Sequence, residues 1–70
     1  MNVPDVERIA REVLMHEAPQ WSIAAVEPSG DRWLLALKDT AGATRTVVLV
    51  SGSPATVREA FSSWVFEHLD

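Results

Sequence analysis

The sequence predicts an α+β fold: a two-layer sandwich in α-β-β-β-α order, with a three-stranded antiparallel meander and both helices on one of its faces. Three observations carry this. Apolar residues recur at helical spacing near both ends of the chain. Between them lie three segments rich in apolar and β-branched residues, bounded by glycine-containing turns. Those turns are too short for anything but antiparallel neighbours. Seventy residues make a single domain, 1–70.

Residues 5–17 read as a helix. Val6, Ile9, Ala10, Val13 and Leu14 form one apolar stripe on a 3.6-residue period. Asn2 can cap its start, with Pro4 in the first turn, where a missing N–H costs nothing. Glu7–Arg11 and Arg8–Glu12 are i,i+4 pairs on the wet side. Pro19 ends the helix, because it disfavours helical geometry at Ala18.

Residues 20–27 (QWSIAAVE) read as the first strand and 32–38 (RWLLALK) as the second. A three-residue loop, Pro28-Ser29-Gly30, would pair Glu27 with Asp31. Trp21, Ile23 and Ala25 then share a face with Trp33, Leu35 and Leu37, and that face is assigned to the helices. A second turn, Asp39–Ala43, leads to the third strand, Thr44–Val50. Ser51-Gly52-Ser53-Pro54 opens the second helix, with Ser53 as cap and Pro54 as first helical residue. Its expected stripe is Val57, Ala60, Phe61, Trp64, His68 and Leu69, with Val65 flanking.

This layout exposes an unusual outer sheet face. It carries Ala24, Val26, Leu34 and Ala36, where an open sheet should be polar. The third strand adds either Val47 and Leu49 or Val48 and Val50, and the candidate surface takes the first pair. Apolar residues number 33 of 70, a large share for a domain that buries only ~60% of its unfolded surface. A contiguous patch of this kind marks a protein contact. Met15 and Phe66 lie about half a turn from their helices' stripes and form a secondary candidate surface.

Other functions find less support. Ten acids against six bases leave a net charge of −4, the wrong sign for nucleic acid or an anionic membrane surface. The element order is similar to that of double-stranded-RNA-binding domains, but residues 53–60 (SPATVREA) hold only Arg58 where such domains place a basic, phosphate-clamping helix start. There is no cysteine for a disulfide or thiolate site. His16 and His68 stand apart, without the i,i+4 pairing of helical zinc motifs. Six serines include no G-x-S-x-G turn. Residues 51–54 hold no phosphate-loop lysine. The three tryptophans fall on core-facing positions. No apolar run is long enough to span a membrane, and the first residues lack the form of a secretion signal.

The expected function is therefore a small, cytoplasmic, non-enzymatic interaction domain. Its expected partner is itself, as a homodimer through the outer sheet face or, in the alternative geometry, by edge-to-edge pairing of the first or third strand, or another protein. No cofactor, metal or small-molecule ligand is expected. The alternative is an acidic inhibitor or nucleic-acid mimic binding a basic partner, for which Asp5, Glu7, Glu12 and Glu17 are the nearest to a line of charge.

Overall fold

The computed structural model describes residues 1–69 in the order α1 (Val3–Glu17), β1 (Trp21–Ser29), β2 (Arg32–Asp39), β3 (Thr44–Val50) and α2 (Pro54–His68). Asp70, one of the ten acids, lies outside the described residues. The strands form one antiparallel sheet in the order β1-β2-β3. Both helices contribute to a single core with one face of that sheet.

α1 starts at a reciprocal cap. Asn2 Oδ1 accepts from the Asp5 N–H at 3.2 Å, and the Asn2 N–H donates to Asp5 Oδ2 at 3.3 Å. Two orphan donors of the first turn are thereby satisfied. The predicted stripe is the one buried: Val6, Ile9, Ala10, Val13 and Leu14. Glu7 and Arg11 pair as expected. Arg8 does not pair with Glu12; it reaches Asp5 at 3.5 Å, while Glu12 accepts from Arg58 of α2 at 2.8 Å. The helix ends at Glu17, with Ala18 as its cap.

The first hairpin is tighter than expected. β1 runs through Pro28 to Ser29, which pairs with Arg32 across Gly30-Asp31. Gly30 has φ 62, and a glycine first in a two-residue connection is the type II′ hairpin pattern. Pro28 is tolerated because β1 is an edge strand.

A bulge follows from the mismatch. Ile23 pairs with Leu37, but Ala25 pairs with Ala36, so one extra residue sits in β1 at Ala24. Past it the faces of β1 exchange. Val26, expected outside, pairs with Leu35 and packs half-buried on the core. Ala25, expected inside, is exposed. The bulge keeps the large residues Trp21, Ile23 and Val26 on the helix side despite their uneven spacing.

β3 pairs Trp33 with Leu49 and Leu35 with Val47. Partners in an antiparallel pair share a face, so Val47 and Leu49 follow Trp33 and Leu35 into the core, and both are buried. They are not part of the outer surface; Val48 and Val50 take that place. Asp39 organises the turn that sets this register. Its carboxylate accepts from the Ala41 and Ala43 N–H groups at 2.9 and 2.8 Å.

α2 is capped by Ser53, whose Oγ accepts from the Thr56 N–H at 3.2 Å. It buries Val57, Phe61 and Val65. Val65 belongs to the centre of the stripe, while Ala60 and His68 are exposed. The contact line is turned toward α1, where Arg58 meets Glu12 and Ser62 Oγ donates to Glu17 Oε2 at 2.5 Å. No helix among the described residues is long and apolar enough to cross a membrane.

Candidate interaction surfaces

The face of the sheet away from the helices is built in rows by the pairing. Leu34 of the central strand lies between Val48 and Glu27. Arg32 lies between Val50 and Ser29, and Ala36 between Thr46 and Ala25. Lys38, beside Thr44 and Ser22, closes the far end. The centre is thus an apolar strip of Val50, Val48, Leu34, Ala36 and Ala25, with Ala24 exposed at the bulge. Arg32, Lys38 and Glu27 frame it.

Exposure varies across the strip. Val48 is 51% exposed and Val50 58%, both on one edge of the sheet. Leu34 and Ala36, on the same face of the middle strand, are half-buried. A shallow depression of about 220 Å3 lies among Ala25, Glu27, Leu34, Ala36 and Thr46. Of the expected outer residues, Leu34 and Ala36 lie on this face, and Ala24 is exposed at the bulge beside it. Val26, Val47 and Leu49 do not. Val48, Val50 and Ala25 complete the surface, and the pairing of Lys38 with Thr44 across the second turn is the signal for the first two.

Met15 and Phe66 are 65% and 70% exposed, but they do not meet. Met15 borders a groove of about 380 Å3 beside Arg11, Pro19, Trp21 and Ile23, where α1 runs along β1. Phe66 borders one of about 740 Å3 that runs along α2 beside Pro54, Ala55, Glu59 and Ser63 and reaches Glu17 of α1.

Of the two histidines, His68 has local partners. His68 stacks on Trp64 with ring centres 4.8 Å apart, and its Nδ1 lies 3.0 Å from the Trp64 carbonyl oxygen. His16 is exposed in the last turn of α1. Among the described residues, no three His, Asp or Glu side chains gather as a metal site would need. Trp33 is buried, and Trp21 and Trp64 pack half-buried against the core. The expected acidic line is met by other side chains: Asp5 by Arg8, Glu7 by Arg11, Glu12 by Arg58 and Glu17 by Ser62.

Comparison with known proteins gives no match: no family model, no curated protein and no solved structure is similar to the chain.

Proposed function

We propose that the protein is a small self-associating interaction domain without catalytic chemistry, and that its contact surface is the outer face of the sheet. The observation that carries this is the strip of Val50, Val48, Leu34 and Ala36, apolar across two neighbouring strands and open to water. An open sheet normally turns polar residues outward. A second copy placed on the strip through a two-fold axis brings two apolar strips together and leaves Arg32 and Lys38 at the wet rim. The acidic-inhibitor reading draws less support, because four of its acids already hold basic or hydroxyl partners.

Leu34→Asp places a charge at the centre of the strip without touching the core. Light scattering at high micromolar concentration should give the native chain a multiple of its 7.7 kDa mass, and the variant half the native value. A native chain that runs at its single-chain mass, or a variant with unchanged mass, rejects the face as the contact.

A further inference from the structure

The sheet has two edges, and they are not alike. β1 is guarded. The bulge at Ala24 interrupts its spacing, Pro28 has no N–H to give, and Glu27 adds a charge. These are the devices by which natural sheets keep an edge from pairing. β3 lacks the bulge and the proline. Its seven residues, TRTVVLV, carry a single charge, Arg45.

The hydrogen bonding shows which of its groups are open. The Ser51 N–H donates to the Asp31 carbonyl at 2.8 Å, and the Asp39 N–H to the Ala43 carbonyl at 3.0 Å. Both pairs lie in the β2–β3 register, one beyond each end of the ladder. In an antiparallel pair, bonded and non-bonded positions alternate. Arg45, Val47 and Leu49 therefore turn their backbone groups toward β2. Thr44, Thr46, Val48 and Val50 turn theirs toward the open edge, with their side chains on the exposed face.

The geometry points to a second copy of this chain joining along that edge, β3 against β3, so that two three-stranded sheets become one sheet of six strands. This rests on the reading above only in taking another copy as the partner; the surface is a different one. A two-fold axis through Val47 sets Thr44 opposite Val50 of the second copy and Thr46 opposite its Val48. All four open residues of each copy then give and take one bond. That register also keeps the two Arg45 side chains apart. Each stands opposite Leu49 of the other copy, four residues from its counterpart, or ~14 Å along the strand, beyond the ~8 Å screening length at physiological salt. The guarded β1 edge excludes β3-to-β1 pairing, which would propagate without closing. Val48 and Val50 belong to both surfaces, so edge pairing extends the apolar strip across the joined sheet. Two such sheets stacked by their strips would make an assembly of four copies.

Thr46→Pro tests the edge. Its N–H faces outward, so the change removes no bond within the chain but blocks the neighbour. With both contacts operating, Leu34→Asp and Thr46→Pro should each leave twice the chain mass, and the double variant a single chain. Hydrogen exchange on the unaltered protein gives a measurement free of folding damage. The amides of Thr44, Thr46, Val48 and Val50 should slow as concentration rises, while exposed loop amides such as Thr40 do not. Fast, concentration-independent exchange at those four positions overturns the edge pairing, as does a single-chain mass for soluble Leu34→Asp. In both cases a native multimer disrupted by Leu34→Asp alone still supports the face. A multimer disrupted by Thr46→Pro alone supports the edge and rejects the face.

Discussion

Phe61 and Phe66 are the same residue type five positions apart on one helix, and they have opposite fates. Five residues at 3.6 per turn separate them by ~140° around the axis. Phe61 is fully enclosed between Val57 and Val65, whereas Phe66 stands in water. Truncating a buried phenylalanine costs ~3–5 kcal/mol through lost transfer energy and the cavity left behind. A 70-residue domain holds only about 4–10 kcal/mol in all. Phe61→Ala should therefore unfold much of the population at 37 °C, and Phe66→Ala should move stability by less than ~0.5 kcal/mol. Urea titration followed by tryptophan fluorescence compares them; equal losses would contradict the burial. The helical period alone separates Phe66 from the stripe. It does not reveal that Val65 replaces Ala60 and His68 at the centre, because that depends on α2 leaning toward Glu12 and Glu17 of α1, a tertiary contact with no local signature.

At the scale of elements, the caps were readable and the bulge was not. Asn2, Pro4 and Asp5 lie in the positions that helix starts favour, and the reciprocal bonds of Asn2 and Asp5 follow from them. Asn2→Ala should cost ~1 kcal/mol, seen as a lower urea midpoint with an unchanged slope, whereas Asn2→Asp should cost much less. An alanine variant as stable as the parent would remove the cap from the account. The outer face of the sheet was legible for Leu34 and Ala36, whose strand alternates without interruption. It was misread for Val26, because the large residues Trp21, Ile23 and Val26 break the period of two once. Strict alternation treats that break as a change of face; the chain absorbs it as a bulge, since two small residues, Ala24 and Ala25, can be spared at an edge. Val47 and Leu49 were misassigned for a simpler reason. TRTVVLV is apolar on both faces, so only the pairing across the Asp39 turn decides which residues go in.

For the whole molecule, the question is where 33 apolar residues go in a chain of 70. Fourteen are buried, a modest core for a domain with no disulfide to support it. Surface ion pairs add little: Arg58–Glu12, which ties the two helices, is half exposed and is worth ~0–1 kcal/mol. If a second copy completes the core, association and folding are linked, and stability depends on concentration. At free chain ~100 times above Kd, binding contributes about 2.7 kcal/mol. A change of 1 kcal/mol moves Tm by ~4–8 °C in a domain of this size, so the full effect is ~10–20 °C. Calorimetry across a hundredfold dilution should show Tm falling with the native chain. It should fall less with Leu34→Asp, which retains only the β3 edge, and not at all when Thr46→Pro is added. A native Tm that is independent of concentration would mean that the fourteen buried residues suffice, and that the exposed valines of β3 contribute nothing to holding the fold together.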